Sequence, residues 1–567
     1  MPKVVGRPLS VVAVLFAALL TAFATRYGYH RDELYFLAAG RHPDWGYPDQ
    51  PPLTPLLARA MSAIDADSLP LLRLPSISAA TFVVVAAGLM ARELGGGRGA
   101  QVLASVAVAS AAMVMGIGHL LSTASFDMAA CVLVCLLMLG LLQGAEGWGV
   151  GRNGRRPEVD ESAVGRGPAA SDEGVGVGGR VGLDGREGMD GRVASDGRVA
   201  AIGRVGPDER EGAGVCVGPD GRVGVGGLGP RCWLGVGLVV GVGLQNKALL
   251  IFPVVALVLA LVLVGPRKIF ATKYFPMAVG SAIVIWLPYL LWQWRNGWPQ
   301  WEMSRAIAGG SSGTSDSPVL FVLSQFGLMG PLLVPLWAIG LWRLWRDPRR
   351  RAFSVAYAAL FVVFLVSGGK AYYLGGMYPI LLAAGAVPVA ARLGNRRIRW
   401  AAVGSVIAVN AIVSAVLFLP VLPVAALKDS PVLAINYDAG EAIGWPQFVL
   451  RIAEVRATLG PDVAILTDNY GEAGAIERFG GEYGLPTPHS GHNSYWWWGP
   501  PSDTASAVIV VGLDRDHLTG YFAEVEPAGH IDNGLGIDND EQGQPLFICR
   551  NPRAPLSEMW PAAKHLS

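Results

Sequence analysis

Apolar runs of similar length alternate with short polar connections from residue 8 to residue 420, and then the pattern stops. Eleven such runs lie near residues 8–26, 71–91, 101–119, 125–143, 232–246, 248–265, 275–294, 318–342, 352–368, 374–391 and 401–420. Roughly 20 apolar residues cross a bilayer, because a backbone without water must bond its amides within its own helix. The pattern predicts a polytopic α-helical membrane protein with about eleven transmembrane helices over residues 1–424, the fifth being short and glycine-rich. Residues 425–567 lack the spanning pattern. Two short apolar runs there, Val463–Thr467 and Ala507–Val511, predict buried strands with a helix between them, hence a small α/β domain.

Lys and Arg in short loops favour the cytoplasmic side. Lys3 and Arg7 precede the first run, and every second connection repeats the bias, with Arg92 and Arg98, then Arg267, Lys268 and Lys273, then Arg343 to Arg351, then Arg392 to Arg399. The expected topology has the amino terminus in the cytoplasm and the α/β domain outside, in a multi-pass protein of the plasma membrane. Residues 145–232 depart from the rest, being rich in Gly, Arg, Asp and Val with Asp-Gly-Arg-Val recurring, a composition too poor in apolar surface to offset its ordering entropy. A disordered cytoplasmic insert is expected there.

Composition agrees: of 567 residues, 52% are hydrophobic and 16% charged, too apolar for an ordinary soluble protein. The net charge of +1 removes the electrostatic case for nucleic-acid binding. Five cysteines show neither C-x-x-C nor zinc-ligand spacing.

Ionisable groups next to a membrane are costly and usually meet a substrate, ion or partner. On this topology they gather outside. The first outer loop, residues 28–70, carries Asp32 and Glu33; adjacent helical residues point about 100° apart, so one of the two can face a given site, and Asp32 is the expected base. Asp127 falls on the same side, at the start of the fourth span, with His119 nearby. Lys247 and Lys370 occupy outward turns against the usual bias of lysine, where a lipid-linked phosphate would supply the compensating anion. Arg305, in the outer loop near 295–317, is a weaker phosphate contact. In the α/β domain the run 490–498 offers His492, Asn493 and Trp496 for a sugar or acceptor. The segment after Val463–Thr467 has a glycine-bearing turn and a helix that could hold an anion, but no G-x-G-x-x-G, which argues against nucleotide. Carboxylates and cations above apolar spans suit a reaction between a membrane-anchored phosphate donor and an acceptor reached from outside. A divalent ion on Asp32, Glu33 and Asp127 is possible, but carboxylates alone do not specify one.

Arg31-Asp32-Glu33-Leu34-Tyr35 after the first run, Trp45-Gly46-Tyr47, Gln50-Pro51-Pro52-Leu53, Asp127, the turn ending at Lys247, and Lys370-Ala371-Tyr372-Tyr373 leading to Tyr378-Pro379 stand in one order and on one side. Over about residues 8–420 this set resembles the membrane glycosyltransferases of the GT-C fold, in the branch of protein O-mannosyltransferases, lipid A aminoarabinose transferase and rhizobial lipopolysaccharide glycosyltransferases. The resemblance implies an inverting glycosyltransferase that moves a sugar from a polyprenyl-phosphate donor to an extracytoplasmic acceptor. It implies catalytic roles for Asp32, Glu33 and Asp127, and donor-phosphate contacts for Lys247, Lys370, Tyr372 and Tyr373. The alternative is a secondary transporter, which would show related halves and midplane charges; neither is evident in the sequence.

Overall fold

Residues 2–144, 229–308 and 317–566 are described by the computed structural model. The expected insert therefore lies almost wholly outside the described residues. All eleven apolar runs are helical. The chain forms α1 (Gly6–Phe23), α2 (Arg31–Arg41), α3 (Leu53–Ile64), α4 (Leu69–Glu93), α5 (Arg98–Ala109), α6 (Ala112–His119), α7 (Thr123–Gly144) and α8 (Cys232–Leu244). It continues with α9 (Ile251–Val264), α10 (Tyr274–Arg295), α11 (Pro299–Ala308), α12 (Pro318–Gly327), α13 (Val334–Arg346), α14 (Arg351–Val366), α15 (Tyr378–Leu393) and α16 (Arg397–Phe418). Among the described residues six helices are long and apolar enough to cross a membrane, or eight if two bent pairs each count as one span. This is a multi-pass membrane protein, with fewer full-length spans than eleven runs suggest. The runs at 232–246, 248–265 and 352–368 fold as shorter apolar helices.

The bent pairs are the runs 101–119 and 318–342, broken between α5 and α6 by 60° and between α12 and the turn leading into α13 by 76°. A break frees backbone carbonyls that must find new donors in an apolar surround. One side chain serves both: Asn410 on α16 donates to the Ser110 carbonyl at 2.8 Å and to the Met329 carbonyl at 3.3 Å. The Met113 amide also bonds the Leu328 carbonyl at 2.8 Å, fastening one break to the other. Gly330 has φ +93°, and a Cβ there would stand 2.2 Å from the Asn410 side-chain oxygen, so both its backbone and its neighbour demand glycine.

Beyond α16 come two single-turn helices, α17 (Val424–Leu427) and α18 (Val432–Ile435), then α19 (Trp445–Ala457), β1 (Val463–Thr467), α20 (Tyr470–Phe479), β2 (Pro488–Ser490), α21 (Ser494–Trp498), β3 (Ala507–Val511), β4 (Phe522–His530) and β5 (Pro545–Pro552). Both predicted strand runs are strands. The sheet order is β2-β1-β3-β5-β4. β1 pairs parallel with β2 and β3, in the register Ile465 to Pro488 and Ile465 to Ile509; β5 runs antiparallel to β3 and β4. One face of this sheet shares its core with the first loop: Leu34, Tyr35 and Leu37 of α2 pack with Val449, Ile452, Ile465, Ile476 and Ile509. The helix that carries Asp32 is thus set between the membrane helices and the sheet.

Close backbone approach governs α13 and α15. A Cβ on Gly385 would lie 1.9 Å from the Leu336 carbonyl oxygen, and one on Gly340 would lie 1.8 Å from that of Leu381. Gly385→Ala is expected to destabilise the fold by about 1–3 kcal/mol or more through overpacking, read as a lower thermal midpoint in detergent. Gly404→Ala on α16, where nothing lies within 4 Å of the added carbon, serves as the control that leaves the midpoint in place.

Candidate functional site

The start of α2 is built from local bonds outward. His30 caps the helix, its ring nitrogen accepting from the Asp32 amide at 3.2 Å while Glu33 accepts from the His30 amide at 2.9 Å, a reciprocal capping box. The Glu33 carboxylate then meets Arg73 of α4 in a two-pronged pair, at 2.9 and 2.7 Å, and accepts the Leu121 amide at 2.9 Å. Arg73 donates further to the carbonyls of Ala24 and Gly28. Both side chains are fully buried. Glu33 is therefore occupied by these partners and is not among the residues that line the cavity beside it.

That cavity has a volume of about 1620 Å³. Asp32 lines it, half-buried, with one oxygen accepting from the Tyr470 hydroxyl at 2.9 Å. A second carboxylate that sequence reasoning passed over, Asp49, lines it too; its Oδ1 accepts from the Tyr35 hydroxyl at 2.7 Å, and that hydroxyl lies 2.6 Å from the Ser494 hydroxyl. Burial pushes the Asp49 carboxyl up to about 7, the Tyr35 bond opposes this, and the Asp32 charge adds to it. The rings of Tyr35 and Tyr470 pack with centroids 4.7 Å apart, so the two acids are held by adjoining tyrosines.

Cations face the same space. Lys247, Lys370 and Arg305 line it, as do Tyr372 and Tyr373. Lys247 lies over the Tyr372 and Tyr373 rings at 5.1 and 6.0 Å, and Arg305 over Trp301 at 5.1 Å. The turn bearing Lys247 is fixed by buried Asn246, which bonds the Thr123 carbonyl of α7 and the Thr54 hydroxyl of α3. Asp127 is one turn further along α7 than Thr123 and is not among the residues that line the cavity. Its Oδ1 is buried without a hydrogen-bond partner, and the charge it feels is that of Lys247. An apolar part of the wall includes Met113, Ile117, Phe252, Phe364 and Phe418, and further charged groups, Arg26, Arg73, Asp438, Glu441 and Asp540, line the cavity elsewhere.

The α/β part contributes Tyr470, His492 and Asn493 to the wall. Burial, with His565 and Arg31 nearby, drives His492 down to about 3, so it is neutral near pH 7. Trp496 does not line the cavity. It exchanges hydrogen bonds with Trp560, each indole donating to the other's carbonyl, and carries Lys564 on its face, contacts that tie it to the chain's last turns. The start of α20 holds no anion, because Asn469 and Glu472 already occupy its amides. Arg31 lines the cavity but is committed to Glu441 at 3.2 Å and to Asp540. Among the described residues no group of three His, Cys, Asp or Glu side chains is placed to share a metal ion.

The missed residues had weak signals. Asp49 stands between Tyr47-Pro48 and Pro51-Pro52, a carboxylate in a stiff apolar loop. Tyr470 is 438 positions from Asp32. Replacing Glu33 with Gln leaves the Arg73 guanidinium buried without a counter-charge, and is expected to cost roughly 3–5 kcal/mol of stability; a thermal midpoint close to that of wild type would contradict this anchoring role.

No protein-family model and no curated protein matches this sequence. Solved structures do. ArnT from Cupriavidus metallidurans, bound to undecaprenyl phosphate and in its apo state, aligns over 95% of this chain and 97% of its own, with 14% identity and a TM-score of 0.53. The mycobacterial arabinofuranosyltransferase AftD aligns over 98% of this chain and 40% of its own, with 12% identity and a TM-score of 0.45. The likeness to ArnT is one of overall fold, the GT-C membrane fold.

Proposed function

We propose that this protein is an inverting glycosyltransferase that moves a sugar from a polyprenyl-phosphate donor to an acceptor outside the plasma membrane. The observation that carries this reading is one cavity with three kinds of wall: acids at Asp32 and Asp49, cations at Lys247, Lys370 and Arg305, and an apolar face able to take a lipid chain. The ArnT structure bound to undecaprenyl phosphate supports a lipid phosphate as the donor's carrier. Lys247 and Lys370, helped by Tyr372 and Tyr373, bind the donor phosphate and stabilise its charge as the bond to the anomeric carbon breaks. The acceptor hydroxyl attacks from the face opposite the phosphate, so the anomeric configuration inverts. A carboxylate of the acidic wall takes its proton. The cytoplasmic loops rich in Lys and Arg support an outward-facing site, with residues 425–567 forming its outer cover.

The test incubates purified protein with a panel of polyprenyl-phosphate sugars and acceptors, with mass analysis of the products. Wild type is expected to transfer one of these sugars. Asp32→Asn should lower kcat by roughly 10²–10⁴, and Lys247→Met or Lys370→Met by roughly 10²–10³. Absence of transfer from every donor, or full activity of Asp32→Asn, would reject the reading.

A further inference from the structure

Five carboxylates line the cavity, Asp32, Asp49, Asp438, Glu441 and Asp540; Glu441 and Asp540 are paired with Arg31, and the surroundings of Asp32 and Asp49, each held by a tyrosine hydroxyl, differ in kind. Asp32 lies in the first turn of α2, where the helix dipole favours an anion, and beside the Arg31 guanidinium. Asp49 lies in the loop before α3 with no Lys or Arg in an ion pair among the described residues. The groups that face it are Tyr35 and Asp32 from α2, Ser494 from α21, Tyr470 from α20, Tyr289 from α10 and Tyr47 from its own loop. One oxygen of each acid is held by a tyrosine hydroxyl, and among the described residues the protein gives the other oxygen no side-chain hydrogen bond. Two acids of one site with such different surroundings suit different roles.

We propose that Asp49 is a second catalytic carboxylate of this site, the one that takes the proton of the attacking acceptor hydroxyl, while Asp32 faces the reacting carbon. This deepens the glycosyl-transfer reading and rests on it. In the step, the acceptor oxygen forms a bond to the anomeric carbon, the carbon–oxygen bond to phosphate breaks with its electron pair leaving on the polyprenyl phosphate, and the hydroxyl proton passes to the open oxygen of Asp49. Asp32 offsets the positive charge that develops on the sugar. A base that titrates near working pH combines a useful ionised fraction with real affinity for the proton, and Asp49 is held near that range by its enclosure. The Tyr35–Ser494 contact gives the sheet side of the molecule a hand in aiming it.

The experiment compares wild type, Asp49→Asn and Asp32→Asn as full-length protein in detergent, using the polyprenyl-phosphate sugar that wild type turns over. Wild-type kcat/KM should rise as pH passes upward through about 7, because the base must be ionised. Asp49→Asn should lose that limb and fall by roughly 10²–10⁴ in kcat with KM little changed; Asp49→Ala should regain part of its rate with added formate. Infrared difference spectra across the same pH range give a readout apart from turnover: other raised carboxyls such as Glu472 also contribute, so the signal is the part of the protonated-carboxyl absorption shared by wild type and Asp32→Asn and missing from Asp49→Asn. An unaltered pH limb in Asp49→Asn, or carboxyl absorption identical in wild type and Asp49→Asn, overturns the assignment of the base alone. Failure of wild type with every donor overturns the glycosyl-transfer reading and takes the base assignment with it.

Discussion

The placement of the acidic wall depends on one buried ion pair, Glu33 with Arg73. Two charges taken from water cost several kcal/mol each, and the cost is recovered only when every remaining donor and acceptor is used. Here the carboxylate takes two guanidinium bonds and the amides of His30 and Leu121, and the guanidinium also holds the carbonyls of Ala24 and Gly28, so four of its five N–H groups are engaged. The pair joins the end of α1, the start of α2, α4 and the turn between α6 and α7 at a point where no apolar contact could fix direction. Asp32 follows from it. With its neighbour turned inward to Arg73, the adjacent side chain has to turn toward the cavity.

The second constraint is the shared core of α2 and the sheet. A loop after a membrane helix would ordinarily lie on the surface and move with it. This one buries Leu34, Tyr35 and Leu37 against β1, β3 and α20, and its acids are steadied by tyrosines from both sides, Tyr35 from α2 and Tyr470 from α20. The site thereby depends on contacts made by parts of the chain more than 400 positions apart. The apolar faces hold the two parts together, and the polar bonds set the orientation of the reactive groups.

Much of this was legible in the sequence. Each of the eleven apolar runs is helical among the described residues, and β-branched runs located β1 and β3, since length and periodicity are local properties. The angle between adjacent helical residues implied that one of Asp32 and Glu33 could face a site, and of the two it is Asp32 that lines the cavity. Lys247 and Lys370 stood out because lysine is unusual in outward turns, and both reach the cavity. What the sequence concealed was pairing. Asp127 looked accessible because its helix begins at the cavity, but one turn further along it is not among the lining residues. Trp496 looked like a sugar platform, and its exchange of bonds with Trp560 had no local signal. Asp49 was hidden by its company: among prolines and aromatics it reads as part of a turn.

The two broken helices share a single donor group, and this links their histories. Asn410 has one amide nitrogen with two hydrogens, and it spends one on each break. A change that straightened α5 into α6 would leave that hydrogen idle, and loss of the asparagine would strand carbonyls in both helices at once. Neither bend can drift independently through neutral substitution, and among descendants of this sequence the two kinks should be inherited or lost together.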